Sequence, residues 1–537
     1  MTQVNGISIL ADVAIGRIKF CQEEQAVQVA GKSPALERTR LEKAYEQTME
    51  QLAQLYQKAM REAGEEEASI LEIHQMLLED EDFREAAEDL IQKNYSAEYS
   101  VQQAGELIAQ NFGQMDEYMR ARAADIRDVA SRLVRVLSDT GELELTEPVI
   151  VMAEDLAPSA TVQMDKRMLL GFVTRGGSTN SHTAILSRTM HIPALVQTPI
   201  LPEWDGKLAV IDGINGVLYI EPDEDTLAEL RRIKSQEEQR QRQFQLLRGE
   251  KAITKDGREI LTYANAGSLY EVELALKNDA QGIGLFRSEF LYLERENFPT
   301  EEEQFQVYSG ILKKMGMRKV IVRTMDIGAD KQIDYFHLDK EDNPAMGYRA
   351  IRICLDRTDI FRTQLRALLR ASIYGNLAIM YPMITSLEEV LEIKKIVQSV
   401  YQELQEEHIP CNLVEQGIMV ETPAAAIMSD QLAEYVDFFS IGTNDLTQYT
   451  LAADRQNAKL AHCCNPHHPA ILRLIQTVVD AGHNAGIWVG ICGELGADLT
   501  LTRRFLEFGV DELSVAPGSV LELRSHVCEL DMREAQS

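Results

Sequence analysis

The chain has 537 residues and a mass of 60.5 kDa, and at roughly 100–200 residues per domain it must hold several folding units. Apolar residues make up 45% and charged residues 26%, a globular composition far from that of disordered chains. No run of about 18 apolar residues is present, and Met1–Ala30 lacks a basic segment followed by an apolar one, so neither a membrane-inserting helix nor a secretory signal is expected. The formal charge is 54 − 85 = −31, which disfavours nucleic acid and anionic lipid and favours basic protein partners. Any anionic substrate would then need arginines gathered locally. Seven scattered cysteines without a CxxC pair fit a reducing cytoplasm better than a disulfide framework or a structural zinc site.

In chain order, residues 1–21 hold short apolar segments that predict strands. Residues 22–140 switch to helical periodicity, with Leu36, Leu41, Tyr45, Met49, Leu52 and Leu55 spaced by three to five. This stretch carries 25 acidic against 13 basic residues, so it predicts an acidic helical subdomain. Its acidic groups are either solvated helix faces or a docking surface for a basic partner, with Glu65, Glu66, Asp80 and Asp82 flanking His74. Residues 141–222 return to an α/β pattern, and the charged, Gln-rich 223–249 segment predicts a linker helix.

From 250 to 537, eight candidate strands alternate with helical connections: Leu261–Ala264, Gly282–Leu285, Val320–Arg323, Leu377–Tyr381, Gln416–Val420, Phe438–Ile441, Trp488–Ile491 and Glu512–Val515. That count predicts a closed (β/α)8 TIM-type barrel, whose active site gathers at the C-terminal strand ends. The chain therefore reads as a multidomain α/β protein. Several of its barrel strands end in Asn265, Arg287, Arg323, Glu421, Asn444 with Asp445, or Cys492.

Four constellations carry chemistry. The Gly176-Gly-Ser-Thr-Asn-Ser-His-Thr run places His182 at a predicted helix N-terminus, which keeps an imidazole neutral and favours a phosphoryl group carried on it. A capping histidine and a metal ligand are the alternatives, and no second His, Cys or carboxylate stands at ligand spacing. Arg287, Arg323, Arg349 and Arg455 follow or end predicted strands, and converging guanidiniums imply a small polyanion. Glu421 and Asp445 stand at neighbouring strand ends, a carboxylate pair that suits Mg2+ shared with substrate oxygens. Cys492 ends a strand between glycines, where a thiol can act as an acid towards carbon or lie inert. The His462-Cys-Cys-x-x-His-His468 loop lacks zinc-ligand spacing.

These residues sit within long blocks: Gly284-Leu-Phe-Arg-Ser-Glu-Phe-Leu291, Pro299–Gln304, Ile321-Val-Arg-Thr-Met-Asp-Ile-Gly328, Ile418–Ala425 and Phe438–Thr450. On them the chain resembles the enzyme I family of the bacterial phosphoenolpyruvate-dependent sugar phosphotransferase system. The resemblance implies a swivelling phosphohistidine α/β domain (1–21 and 141–222), an inserted all-α carrier-docking subdomain (22–140), a linker helix (223–249) and a barrel (250–537). It implies that His182 is phosphorylated at its tele nitrogen by phosphoenolpyruvate and passes the group to a histidine-containing phosphocarrier protein. It further implies that Arg287, Arg323, Arg349, Arg455 and Asn444 bind phosphoenolpyruvate. Glu421 and Asp445 would hold Mg2+, and Cys492 would protonate the enolate at C3. His74, with Glu65, Glu66, Asp80 and Asp82, would belong to the carrier-docking region. The family is cytoplasmic and dimeric through its barrel, with no contact to nucleic acid and no membrane insertion.

The chain departs from the family pattern at Ser178-Thr-Asn, which lacks an arginine after the glycines, and at Gln197 and Ala329, where glycine is usual. It ends at Ser537, soon after one short helix, which predicts weakened barrel closure and a weakened dimer. The competing readings are a non-catalytic docking or regulatory paralogue and a pyruvate phosphate dikinase or phosphoenolpyruvate synthase relative. The latter would need an ATP-binding region for which no glycine-rich segment is seen.

Overall fold

The computed structural model describes the chain except residues 22–27, 30, 63–64, 114–116, 140–144, 146, 155, 157–163, 165–167, 178–183, 185–186, 188–191, 294, 296, 332, 456, 461 and 534–537. Within 58–69 and 113–121, and at 330, 334 and 458, side chains are likewise left undescribed. Two compact units result, Met1–Arg240 and Gln241–Ser537.

The first unit contains an eight-stranded sheet. Its strands are β1 (Thr2–Asn5), β2 (Ile7–Ser8), β3 (Val13–Cys21), β4 (Val149–Ala153), β5 (Leu169–Thr174), β6 (Ala194–Val196), β7 (Leu208–Asp212) and β8 (Val217–Ile220), ordered β1-β8-β7-β3-β4-β5-β6-β2. The central β3–β4, β4–β5 and β5–β6 pairs are parallel. Burial on both faces explains the unbroken apolar run Val149-Ile-Val-Met-Ala153, all five residues of which are buried.

Five helices lie between β3 and β4 in sequence: α1 (Pro34–Glu62), α2 (Glu65–Glu79), α3 (Glu81–Gln92), α4 (Ala97–Gly113) and α5 (Glu117–Leu137). They share a separate apolar core that includes Leu41, Leu52, Leu71, Leu78, Phe83, Ile126 and Leu133. Helix α3 shows why the chain is helical here. The Asp80 side chain accepts from the Phe83 N–H and caps the first turn, while Phe83, Ala87 and Ile91, four apart, form the buried stripe. Gln197, one of the departures noted above, adopts φ +54, a left-handed conformation in which glycine is easier.

The second unit is a closed parallel barrel of β9 (Leu261–Ala266), β10 (Gly282–Arg287), β11 (Lys319–Arg323), β12 (Asn376–Tyr381), β13 (Glu415–Val420), β14 (Phe438–Ile441), β15 (Trp488–Ile491) and β16 (Glu512–Val515). Leu285, Ile321, Ala378, Met380, Met419, Phe438 and Cys492 pack together as a second, smaller cluster. Trp488 stacks on Phe438 at 4.6 Å between centroids, at the N-terminal strand ends.

The barrel is closed at its β16–β9 seam. β16 pairs with β9 at four positions, Glu512–Val515 against Leu261–Ala264. The helix Val520–Glu529 carries Arg524, whose fully buried guanidinium donates to the Asp279 carboxylate at 2.7 Å, the Asp279 carbonyl at 2.6 Å and the Leu247 carbonyl at 2.9 Å. The backbone ladder joins the last strand to the first, and this cation ties the helix after it to the barrel.

Candidate active site

Every barrel residue singled out in the sequence stands at the C-terminal end of a strand or in the loop after it. Arg287 and Arg323 end adjacent strands and face each other in the ladder. Glu421 follows β13, Asn444 and Asp445 open the helix after β14, and Cys492 follows β15. This is the end at which TIM-type barrels assemble their sites.

The arginines are organised by a carboxylate that the sequence reading passed over. Asp326, 4% exposed, accepts from Arg323 Nη1 at 2.9 Å and from Arg349 Nη2 at 2.8 Å. Burial alone would raise its pKa, but the two guanidiniums hold Asp326 well below the usual carboxylate range. The other end of Arg323 is paired with Glu289, and Lys331 Nζ donates to the Asp326 carbonyl at 2.8 Å. A sequence signal existed: Arg323 and Asp326 lie three apart, and Glu289 lies inside the block that carries Arg287. Arg287 and Arg455 are the exposed members, and Arg455 Nη2 reaches the Asp445 carboxylate at 3.5 Å.

Glu421 is buried and accepts from the Met383 N–H at 2.6 Å. Burial first, then the negative charges of Asp445 and Asp326, push its pKa up to about 8, against the pull of Arg323. Gly442 lets the chain approach: a Cβ there would lie 2.9 Å from Glu421 Cβ and 3.0 Å from Oε2. Crowded carboxylates with one member so perturbed form a charge deficit of the kind that a hard divalent cation cancels. The pair could supply the one or two carboxylates that such a cation takes when other oxygens complete its shell. Among the described residues no group of three or more His, Cys, Asp or Glu side chains could hold a metal by itself.

Cys492 is 4% exposed, and burial pushes its thiol up to about 12, so it is held as the protonated acid rather than the thiolate. Asn265 Nδ2 donates to the Cys492 carbonyl at 3.0 Å and fixes the strand end. Asn444 exchanges hydrogen bonds with Glu494: its Nδ2 donates to Glu494 Oε1 at 3.0 Å, and its Oδ1 accepts from the Glu494 N–H at 3.1 Å. The histidine–cysteine loop has other uses. His467 pairs with Asp498 at 2.6 Å, and His468 caps the following helix.

His182 lies outside the described residues, as does the Ser178-Thr-Asn departure beside it. In the helical subdomain one expectation is corrected. His74 is fully buried, with Nε2 3.6 Å from Asp125 and Nδ1 3.7 Å from Asp128, so it ties α2 to α5 and cannot touch a partner directly. The sign was legible, since Leu71, His74 and Leu78 share one helical face and all are buried. Asp80 and Asp82 are exposed at the start of α3. Glu65 and Glu66 open α2, with side chains outside the description.

Three family descriptions match the chain: "PEP-utilising enzyme, N-terminal" over residues 5–122, "PEP-utilising enzyme, mobile domain" over 145–216, and "PEP-utilising enzyme, PEP-binding domain" over 241–532. Among curated relatives, the phosphoenolpyruvate-protein phosphotransferase of Priestia megaterium is 40% identical, covering 99% of this chain and 95% of its own. The chain belongs to the phosphoenolpyruvate-protein phosphotransferase family. The proteins of that name from Bacillus subtilis, 39% identical over 100% of this chain and 96% of theirs, and Haemophilus influenzae, 40% identical over 99% and 95%, lie at the same distance. Of the described residues, no helix is long and apolar enough to cross a membrane.

Proposed function

We propose that the barrel mouth binds phosphoenolpyruvate and that His182 takes its phosphoryl group and hands it to a histidine-containing phosphocarrier protein, the first step of sugar uptake by a phosphotransferase system. The observation that carries this reading is the buried Arg323–Asp326–Arg349 array beside Glu421, Asp445 and Cys492 at the strand ends. It gathers cations in a chain of net charge −31, as an anionic substrate requires. Relatives of this length and identity bear the matching name.

In the proposed reaction Arg287, Arg323, Arg349 and Arg455, with Asn444, hold the phosphate and carboxylate of the substrate. Asp326 and Glu289 keep Arg323 and Arg349 aimed before substrate arrives, so little reorganisation is needed. Glu421 and Asp445 would hold Mg2+, which when bound neutralises charge on the phosphate and the developing enolate oxygen. The tele nitrogen of His182 attacks phosphorus in line, and catalysis is mainly positioning and charge neutralisation. As the P–O bond breaks, the enolate of pyruvate is left, and the Cys492 thiol gives its proton to C3. A thiol that stays protonated to about pH 12 is an acid that only a strong carbon base deprotonates.

We assign residues 1–21 and 141–222 to the phosphohistidine domain, 22–140 to carrier docking, 223–249 to the linker and 250–537 to phosphoenolpyruvate binding and dimer formation, in the cytoplasm. The docking face is proposed to include Glu65, Glu66, Asp80 and Asp82, with His74 acting from beneath it. The test is incubation with labelled phosphoenolpyruvate and Mg2+. An acid-labile, base-stable phosphoprotein is expected, with no label in His182→Ala. Persistent label in that variant overturns the assignment, and label from ATP would favour a dikinase.

A further inference from the structure

Glu512 opens β16 inside the barrel, and no step above uses it. Its side chain is completely buried. It lies across Gly490, its ladder partner on β15: a Cβ on Gly490 would come within 2.0 Å of Glu512 Oε2. Gly490 precedes Cys492 by two residues, so strand alternation sets the carboxyl one layer beneath the thiol on the same face. Ser440 flanks Gly490 on the other side, as its ladder partner on β14. The Ser440 hydroxyl stands close enough to the Cys492 thiol to favour its thiolate. Ser440 Oγ and Glu512 Oε2 both lack a hydrogen-bond partner, and they belong to the two ladder neighbours of Gly490.

The other carboxyl oxygen is engaged. Glu512 Oε1 accepts from Ser514 Oγ at 2.7 Å, and Ser514 stands in the layer of Cys492, where Asn265 Nδ2 donates to both carbonyls. Gly284 leaves room for this pair, since a Cβ there would lie 1.8 Å from Ser514 Oγ and 2.7 Å from Glu512 Oε1. The titratable groups that face Glu512 are Cys492 on β15, Tyr263 on β9 and Asp511 just before it. No cation pairs with it among the described residues. Burial first, with Asp511 adding, pushes the Glu512 carboxyl up to about 8, while the Ser514 hydroxyl pulls the other way. At neutral pH it therefore holds its proton. A buried acid without a cation costs stability that an apolar residue would not, and such a local cost points to function.

We propose that Glu512 is the proton reservoir of Cys492, returning a proton to the thiolate through the Ser440 hydroxyl after each protonation of the enolate. The inference rests on the reading of Cys492 as the acid. In the first step the S–H bond breaks as the C3–H bond forms, giving pyruvate and a thiolate. In the second, Ser440 gives its proton to sulfur and takes one from the carboxyl, so S–H is remade and the electron pair stays on the Glu512 carboxylate. Solvent water reprotonates that carboxylate before the next turnover.

The experiment uses the full chain with Mg2+, phosphoenolpyruvate and a phosphocarrier protein. Wild type at pH 7 should show a protonated-carboxyl stretch in the infrared that disappears as pH rises through about 8. The wild-type minus Glu512→Gln difference spectrum should contain that band, which separates it from any contribution of Glu421. Glu512→Gln should label His182 from phosphoenolpyruvate at the wild-type rate in the first turnover, yet form pyruvate in the steady state about tenfold more slowly or worse. Wild-type turnover should fall above about pH 8, and the Glu512→Gln profile should be flat there. Glu512→Asp keeps an acid and should recover part of the rate; it carries the test if Glu512→Gln does not fold. A wild-type steady-state rate in Glu512→Gln, a Glu512→Asp profile whose alkaline fall is unshifted from wild type, or no such band in the wild-type spectrum at pH 7, overturns the proposal. If Cys492→Ala turns over normally while the band persists, it is the role of Cys492 that fails.

Discussion

Replacing Asp326 by Asn separates the charge that organises the arginines from the shape that fills the space. Asp326 is 4% exposed and ion-paired at 2.9 Å with Arg323 and 2.8 Å with Arg349. Removing one partner of a buried pair costs about 3–5 kcal/mol, because the charge left behind stays desolvated. Arg323 keeps Glu289, whereas the Nε of Arg349 already lacks a hydrogen-bond partner. The loss therefore falls mainly on Arg349, and the lower end, about 3 kcal/mol, is expected. For a unit of this size that lowers Tm by roughly 6 °C, at about 2 °C per kcal/mol. The assay is thermal unfolding followed by the fluorescence of Trp488, in a background where Trp204, the other tryptophan, is changed to Phe. The pH dependence supplies the sign. Asp326 is held below its unfolded value of 3.8, so its contribution is present above pH 3.8 and is lost as pH falls towards its folded pKa. Asp326→Asn should thus differ from wild type at pH 7 and approach it in acid. A loss below 1 kcal/mol at pH 7, or one that does not shrink in acid, refutes the reasoning.

Three further outcomes are expected. Cys492→Ala should bind phosphoenolpyruvate as wild type does, yet form pyruvate about 10²–10⁴-fold more slowly, the range for loss of a general acid, as read by a coupled pyruvate assay. Arg524→Met should lower barrel stability by about 1.5–3 kcal/mol, the scale of a lost charged hydrogen bond, since Asp279 keeps Arg318 at 3.3 Å and the Gly249 N–H at 2.7 Å, seen in the same Trp488 melt. Thr300→Ala should cost about 1 kcal/mol, because Thr300 and Glu303 form a reciprocal capping box at the start of Glu301–Met315. Glu303, drawn down to about 2 by Thr300 and Arg295, contributes above its unfolded value of 4.5. That part of the cap should be lost as pH falls through about 2, which an acid titration of wild type and variant checks.

The barrel was legible because its strands are short apolar runs with a polar residue at the C-terminal end. Phe438–Ile441, Trp488–Ile491 and Glu512–Val515 form strands at the predicted bounds. The first unit was less transparent. β6, Ala194–Val196, has three residues, too few for a period to declare itself. Asp326 and Glu289 escaped notice for a different reason: the three-residue spacing of Arg323 and Asp326 was there to read, but the pairings of Asp326 with Arg349 and of Glu289 with Arg323 span 23 and 34 residues of chain. His74 misled because a histidine among acids reads as surface chemistry, whereas the apolar stripe of Leu71 and Leu78 was the stronger signal. The doubt about closure weighed residues past β16 and overlooked Arg524, a charge in an otherwise apolar helix face whose partner lies 245 residues away in sequence.

Two buried carboxyls near Cys492, Glu421 and Glu512, are pushed up to about 8 for different reasons, and the difference separates their uses. Glu421 shares its surroundings with Asp445, Asp326 and the guanidinium of Arg323, so its cost arises from like charges that a cation and an anionic substrate can rebalance. Glu512 has a serine hydroxyl and, among the described residues, no cation, so a proton is what neutralises it. A barrel that needed mere filling could have used a leucine at either place. In the proposed mechanism one acid stands where positive charge arrives and the other stores a proton, with the thiol between them. That order is the one the proposed reaction needs, since phosphoryl charge moves first and the proton follows.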